Sequence, residues 1–294
     1  MASSPQTPPA EIEVDTDLVH QLIRRQHPDL AHLPVAFEAS GWDNITFRLG
    51  GDLAVRLPRR EIGARLIGSE QVWLAILSDR LPLQTPAPLR LGVPGARYPW
   101  RWSIVPWIEG RTADLDQPDP GQGLVLADFF RALHQPAPPE APRNPFRGVA
   151  LSTRQEMFHT QLDFLKTRTD LIDDRALAIW DAGVAAPQDL SGLWIHGDPH
   201  PRNVLVAAGR LKAFIDWGDM AQGDPASDLA AIWMLLDSPL ARQQAMEAYG
   251  ASDATWARAR GWAMYYVAVL LATGLTDDPA MEVIAVRTLN RLLG

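Results

Sequence analysis

The chain has 294 residues, 47% of them apolar and 21% charged, which is the composition of a globular protein rather than of a disordered one. Its formal net charge of −8, without a basic cluster, argues against nucleic-acid binding. The absence of cysteine excludes disulfides, thiol catalysis and cysteine-bound metals. Lys166 and Lys212 are the only lysines, so nearly all positive charge is carried by arginine.

The beginning of the chain carries no pattern typical of a targeting signal. Residues 1–10 are rich in proline and serine and are expected to form a loose tail. A charged stretch followed by an apolar one, as in a signal peptide, is missing there. The longest uncharged run, 261–276, is shorter than the roughly 20 residues of a membrane span and predicts a buried helix. We therefore expect a cytoplasmic protein that does not enter a membrane.

The first third of the chain predicts a small sheet with helices. Apolar residues at 18–23 have helical spacing, and 45–49 and 53–57 alternate with period two around Gly50-Gly51, which predicts a β-hairpin. A helix is expected over 62–78, and further short strands over 88–92 and 102–107.

The rest of the chain is mainly helical. A linker with five prolines occupies 135–148, helices are expected over 153–184 and from 226 onward, and a strand–loop–strand insert lies at 193–216. The predicted fold class is α+β with two lobes, 1–107 and 108–294, and the whole charge excess of −8 falls in the second lobe.

Three polar side chains in the 193–216 insert carry the chemistry. Asp198, Asn203 and Asp216 each adjoin an apolar β-like run, which would hold them on a short, rigid frame. Such a frame suits phosphoryl transfer, which depends on positioning and charge neutralisation. One carboxylate can orient and deprotonate an attacking hydroxyl, while an amide oxygen and a second carboxylate can hold Mg²⁺.

The motifs around these residues resemble those of the aminoglycoside phosphotransferase/choline kinase-like enzymes. The run His196-Gly197-Asp198-x-His200-Pro201-x-Asn203 is similar to their catalytic loop. Ile215-Asp216-Trp217-Gly218 resembles their metal-binding segment, and Gly223-Asp224-Pro225-x-x-Asp228-Leu229-Ala230 their next motif. The resemblance implies a protein kinase-like fold, ATP or GTP as donor, Mg²⁺, Asp198 as catalytic base, and Asn203 and Asp216 as metal ligands. Asp224 and Asp228 would have structural roles, bracing the catalytic loop and capping the next helix.

The same resemblance assigns nucleotide-binding positions in the first lobe. The loop that begins with Ser40 and Gly41 would cover the phosphates, and Pro106, Trp107 and Ile108 would form the connector beside the adenine.

One position in this lobe departs from the family pattern. The usual phosphate-binding lysine is replaced by Arg56, for which Glu70 is the expected partner. Arginine can bind phosphate through two parallel hydrogen bonds. The neighbouring Arg59 and Arg60 are expected to be a solvated pair.

The expected function is a small-molecule O-kinase. Its acceptor would be cationic or polyhydroxylated, such as an aminoglycoside, another antibiotic or an amino alcohol. Two alternatives remain open: a non-catalytic nucleotide-binding module of the same fold, and a metallohydrolase that uses His196, Asp198 and His200. The acceptor, the choice between ATP and GTP, the metabolic or resistance role and the oligomeric state are not determined by the sequence.

Overall fold

The computed structural model describes residues 9–294, so most of the expected N-terminal tail lies outside the described part. The first lobe is built on a five-stranded antiparallel sheet in the order β1-β2-β3-β5-β4. Its strands are β1 (Val35–Ser40), β2 (Asn44–Leu49), β3 (Leu53–Pro58), β4 (Arg90–Gly92) and β5 (Trp102–Pro106). The predicted hairpin is confirmed as β2–β3. Strand β1 has no counterpart among the sequence predictions, because all but one of its residues are exposed and leave no apolar alternation.

Helix α1 (Thr16–Gln26) packs its apolar face, including Leu18 and Leu22, against this sheet. The helix predicted over 62–78 exists but is interrupted. It consists of α2 (Glu61–Ser69), a π-helical turn (Glu70–Leu74) and α3 (Ala75–Ser78).

A π-helical turn holds one more residue than an α-helical turn, which changes the direction of the side chains beyond it. Here the turn brings two consecutive polar residues, Glu70 and Gln71, into the interior. Gln71 donates to the carbonyl oxygen of Trp102 at 2.8 Å and to Ser103 Oγ at 3.1 Å. The helix is thereby hydrogen-bonded to strand β5.

The second lobe is mainly helical, as predicted, and encloses the larger apolar core. Its helices are α4 (Gly123–Leu133), α5 (Gln155–Lys166), α6 (Asp174–Ala185), α7 (Ala226–Leu229), α8 (Ala231–Leu235), α9 (Pro239–Tyr249), α10 (Asp253–Gly274) and α11 (Pro279–Leu293). Helix α10 is buried around most of its circumference and packs against α6 and α11. Within residues 9–294, no helix has the length and apolar character needed to cross a bilayer.

Short strands in the second lobe form the frame of the predicted insert. They are β6 (Arg111–Thr112), β7 (Leu193–Ile195), β8 (Val204–Ala207), β9 (Arg210–Phe214) and β10 (Ala221–Gly223). The β8–β9 hairpin pairs with β6, and β7 pairs with β10. The division at residue 107 stays a prediction, because Leu74 and Leu77 from the first lobe pack in the core of the second.

Candidate functional site

The loop between β7 and β8 carries Asp198 and Asn203. Asn203 Nδ2 donates to the backbone oxygen of Asp198 at 2.9 Å and lies 3.3 Å from its Oδ2. The Asp198 side chain is 22% exposed, so its carboxylate is held from the protein side yet reachable from solvent. This is the arrangement that a base requires when its partner is a diffusing hydroxyl.

A buried carboxylate holds the beginning of this loop. Asp228 accepts hydrogen bonds from the backbone N–H groups of His196, at 2.6 Å, and Gly197, at 2.9 Å. Its Oδ2 also lies 3.3 Å from Nε2 of His134, the residue directly after α4. Asp228 is fully buried, so these partners replace the water that the carboxylate loses on folding.

Asp224 lies on the neighbouring segment and has a similar structural role. It accepts from the backbone N–H of Ala226 at 3.0 Å and from Arg258 Nε at 2.7 Å. Asp228 therefore braces the catalytic loop, while Asp224 caps the beginning of α7 and pairs with Arg258.

His196 is a scaffold residue in this geometry. Its Nε2 donates to the carbonyl oxygen of Ile215 at 3.0 Å, and its Nδ1 accepts from the backbone N–H of Asp198 at 3.2 Å. Burial lowers the pKa of His196, so the ring stays neutral. His200 Nδ1 likewise accepts from the backbone N–H of Arg202. His200 Nε2 lies 3.4 Å from Asp198 Oδ2. Because both ring nitrogens of His196 are hydrogen-bonded within the protein, this histidine does not favour the metallohydrolase alternative.

No group of three or more histidine, aspartate or glutamate side chains within residues 9–294 has the geometry to hold a metal ion by itself. Mg²⁺ does not require such a group, because it usually takes one or two protein oxygens together with substrate phosphates and water.

Asp216 follows β9 in a left-handed backbone conformation, with φ at 58°. Non-glycine residues rarely adopt this conformation, and when they do they are frequently found at functional sites. The preceding residue, Ile215, donates its N–H to the backbone oxygen of Asn203 at 2.9 Å, which ties the two candidate metal ligands together. Asp216 is 55% exposed, and the amide oxygen of Asn203 makes no hydrogen bond within the described part. These oxygens fit the hard-ligand preference of Mg²⁺.

Arg56 on β3 links the sheet to this cluster. Its Nη1 lies 2.6 Å from Glu70 Oε2, and its Nη2 lies 3.2 Å from Asp216 Oδ1. Against the opposing effect of burial, Glu70 and Asp216 raise the pKa of Arg56. The guanidinium is therefore charged at every physiological pH. The structure thus forms the pair expected from the sequence and adds a contact to Asp216 that the sequence did not indicate.

The pairing of the strands places the connector and the loop at 41–43, the remaining candidates for the nucleotide site, at opposite ends of the sheet. Leu53 pairs with Pro106 at the connector end, and Asn44 pairs with Pro58 beside the loop at 41–43. Arg56 lies between these ends.

The loop at Ser40 and Gly41 is held by the two arginines expected to be solvated. Arg59 Nη1 donates to Ser40 Oγ and to the backbone oxygen of Gly41, both at 3.0 Å. Arg60 pairs with Asp43 at 3.0 Å. Both arginines are partly exposed, as expected, and each also binds a polar group of the adjacent loop, which the sequence did not indicate.

The connector presents fewer free backbone groups than expected. The N–H of Trp107 donates to the backbone oxygen of Asp52 at 2.8 Å, and its ring lies 4.0 Å from the guanidinium of Arg48. Pro106 belongs to β5. Ile108 makes no backbone hydrogen bond within the described residues, so its backbone N–H and C=O groups are available to a nucleotide base.

A charge cluster beside Asp198 was missed by sequence reasoning. Arg147 Nη2 lies 3.2 Å from Asp198 Oδ1, and Asn144 Nδ2 donates to Asp219 Oδ1 at 2.7 Å. Burial raises the pKa of Asp198, but the charges of His200 and Arg147 outweigh it and lower the pKa overall. Burial, followed by the charge of Asp198, raises the pKa of Asp219. Arg147 lies in the proline-rich linker outside every motif, so no local signal marks it.

Comparison with known families gives one extended match. Residues 35–262 match the model of the phosphotransferase enzyme family. Viomycin phosphotransferase of Streptomyces vinaceus is 37% identical over an alignment of 191 positions, and the match covers 59% of this chain. The chain spans 63% of the length of that relative.

Solved structures match over nearly the whole chain. A GDP complex of aminoglycoside 2'-phosphotransferase-IIIa superposes with a TM-score of 0.69 at 18% identity, over 94% of this chain and 99% of the other. Macrolide 2'-phosphotransferase MphH from Brachybacterium faecium superposes with a TM-score of 0.60 at 22% identity, over 94% and 98%. These matches confirm the predicted two-lobed, kinase-like fold.

Proposed function

The chain belongs to the phosphotransferase enzyme family, and from this premise we propose that it is a small-molecule kinase. It transfers the γ-phosphoryl group of ATP or GTP to a hydroxyl group of its acceptor. The observation that carries the proposal is the convergence of Asp198, Asn203 and Asp216 on one frame, with Arg56 in contact with Asp216. A binding module needs the phosphate contacts but has no use for a reachable carboxylate at Asp198.

Asp198 is the catalytic base of the proposed reaction. The acceptor oxygen forms a bond to the γ-phosphorus while the bond to the β–γ bridging oxygen breaks, and the hydroxyl proton passes to Asp198. Its lowered pKa keeps the carboxylate ionised at neutral pH, so it can accept a hydrogen bond from the hydroxyl. In such reactions the positioning of the nucleophile matters more than strong basicity.

Asn203, Asp216 and Arg56 would hold the donor. When bound, Mg²⁺ neutralises charge on the phosphate oxygens, and Asn203 and Asp216 are the residues that fit it. Arg56 supplies a permanent positive charge next to them, with a planar fork suited to phosphate. Ser40 and Gly41 would contact the phosphates, and Ile108 would contact the nucleotide base.

The acceptor is proposed to be an antibiotic-like molecule with several hydroxyl groups. Viomycin phosphotransferase is the relative found by sequence, and the structural neighbours are named for aminoglycosides and macrolides. The acidic second lobe is compatible with a cationic acceptor, although net charge influences encounter more than selection. A cytoplasmic location, where both nucleotides are available, is part of the proposal.

A nucleotide-consumption screen tests the proposal. The purified chain is incubated with Mg²⁺ and either ATP or GTP, and with viomycin, kanamycin, streptomycin, gentamicin, a macrolide or an amino alcohol. Acceptor-dependent formation of nucleoside diphosphate is expected with at least one of these compounds and should disappear in Asp198→Ala. Mass spectrometry should show one added phosphoryl group on the acceptor.

Two results would count against the kinase. Full activity in Asp198→Ala would remove the proposed role of the base. Mg²⁺-dependent thermal stabilisation by ATP or GTP, without transfer to any acceptor of the panel, would instead favour the non-catalytic nucleotide-binding module.

A further inference from the structure

Arg147 differs from the buried arginines that hold the second lobe together. Arg258, for example, bonds to Asp224, Asp189 and Thr255 in addition to a backbone carbonyl. The Arg147 side chain has one hydrogen bond within the described part of the chain, and its partner is Asp198. An arginine that served only the fold would be expected to use more of its five donors.

Two buried hydrogen-bond donors in the region of Arg147 lack a partner within the described residues. Its Nε is buried without a partner in the described residues, and so is the hydroxyl of Tyr266. The ring of Tyr266 lies 5.3 Å from the guanidinium carbon, so both unpaired groups belong to one region beside Asp198. Buried polar groups without partners are costly and are found at functional sites more readily than elsewhere.

The backbone that carries Arg147 is fixed, in contrast to its side chain. Asn144 Oδ1 accepts from the N–H of Arg147 at 3.1 Å, while Asn144 Nδ2 donates to Asp219. On the other side, Gly148 has φ at +62° and accepts from the N–H of Asp224 at 2.7 Å. A side chain at Gly148 would meet Gly223, so the linker approaches the strand closely there. The chain thus presents Arg147 to Asp198 from a rigid support.

We propose that Arg147 is a specificity-determining residue that keeps Asp198 paired in the absence of acceptor and so disfavours transfer of the phosphoryl group to water. The acceptor reaches Asp198 by displacing the guanidinium, which is tethered through this single bond. The inference rests on the proposed kinase function. It assigns to the linker a role that no sequence motif indicates.

The reaction that Arg147 restrains is hydrolysis of the nucleotide. A water oxygen forms a bond to the γ-phosphorus, the bond to the β–γ bridging oxygen breaks, and the water proton passes to Asp198 and then to solvent. The products are the nucleoside diphosphate and inorganic phosphate. Water competes in this way with every acceptor of a phosphotransferase. A residue that pairs with the catalytic base until the acceptor binds would therefore reduce the loss of nucleotide to hydrolysis.

Acceptor-free hydrolysis of ATP and GTP by the full chain tests the proposal. Arg147→Met removes the donors with little change in length, and we expect the rate to rise by about tenfold, the effect of one charge-assisted hydrogen bond to the base. Arg147→Lys keeps a charged donor and should stay close to the wild-type rate. Arg143→Met is the matched control, because Arg143 is an exposed arginine of the same linker.

A gain in rate separates this role from a structural one, since a damaged fold lowers activity. Thermal unfolding with and without nucleotide shows whether each variant is folded. A folded Arg147→Met protein whose hydrolysis is unchanged or reduced overturns the proposal. If the wild type phosphorylates an acceptor while Arg147→Met hydrolyses nucleotide no faster than the wild type does, the inference about Arg147 fails and the kinase function stands. If no variant binds or consumes nucleotide, the kinase function fails with it.

Discussion

Arg56 Nη1 lies 2.6 Å from Glu70 Oε2, while the other terminal nitrogen of the same guanidinium lies 3.2 Å from Asp216 Oδ1. One side chain therefore connects the sheet of the first lobe, the helix beside it and the candidate metal ligand of the second lobe. A lysine carries its charge on a single ammonium group and lacks the planar fork of arginine, so it could not pair with both carboxylates in this way.

Replacing Arg56 by methionine should destabilise the fold. Glu70 is 1% exposed, so the substitution would leave a buried carboxylate without its partner, at a cost of about 3 kcal/mol in the free energy of unfolding. Urea denaturation of Arg56→Met measures this loss. In the double variant Arg56→Met/Glu70→Gln, most of the stability should return, because the unpaired charge is gone.

The cycle formed by these variants isolates the interaction between the two side chains. If the two substitutions simply added, Arg56 and Glu70 would not be coupled in solution. Arg56→Lys completes the series: we expect it to retain stability and to weaken nucleotide binding, since one ammonium cannot serve both carboxylates and a phosphate.

The sequence predicted most of the fold because its apolar periodicity is regular. The β2–β3 hairpin, the helical second lobe and the 193–216 insert were all predicted from spacing and turn residues. Strand β1 was not, since an edge strand with five exposed residues has no apolar pattern. Strands β6 and β10 are only two and three residues long, too short for a period to be read.

The candidate site could be named from the sequence where its residues lie in a recognisable motif or match a position of the family pattern, as Arg56 does. Asp198, Asn203 and Asp216 stand within one short insert, whereas Arg147 comes from a linker 51 residues before Asp198. Nothing local distinguishes Arg147 from other linker arginines. Its position depends on the close approach of Gly148 to Gly223, which is a property of the packed chain.

Gly197→Ala should impair the catalytic loop. Gly197 has φ at +90°, and an added methyl group would collide with the backbone of Asp219. We expect a loss of about 1–3 kcal/mol in stability and a large loss of phosphoryl transfer. The control is Gly51→Ala, because space around Gly51 is open and its φ is not positive. Equal thermal stability of the two variants would contradict the crowding at Gly197.

Asp228→Asn tests whether the buried carboxylate positions the base. Asparagine would direct one N–H group toward a backbone N–H of His196 or Gly197, which leaves a donor unsatisfied. The cost of about 1–3 kcal/mol should appear as a kcat reduced by about tenfold to a hundredfold. Nucleotide affinity, measured by calorimetry, should be nearly unchanged. Asp170→Asn, at an exposed position, should behave as the wild type; a loss of nucleotide binding in Asp228→Asn with unchanged kcat would refute this assignment.

The buried His196 should make stability depend on pH. Its pKa is lowered from 6.5 in the folded protein by burial, so below pH 6.5 the unfolded chain takes up a proton that the folded one does not. Stability contributed by this group is complete above pH 6.5 and falls as the pH decreases toward the folded pKa. The slope for one such group is at most about 1.4 kcal/mol per pH unit.

Urea denaturation between pH 7.5 and pH 5 measures this slope in the wild type and in His196→Gln. The variant lacks the titrating ring and should show a shallower dependence. Burial also lowers the pKa of His27, but that contribution is common to both proteins and cancels in the comparison. Parallel curves for the two proteins would show that His196 is not the source.

The π-helical turn at Glu70–Leu74 makes the helix sensitive to residue number as well as to residue type. Deleting the exposed Val72 would shorten the turn to α-helical geometry and rotate α2 by about 100° relative to α3. Glu70, before the deletion, and the buried Leu77, after it, could then no longer both keep their positions, although every functional side chain would still be present. A check of which functional residues are present would therefore not detect the damage caused by this deletion. The number of residues between Glu70 and the buried Leu77 is therefore itself a chemical requirement of the site.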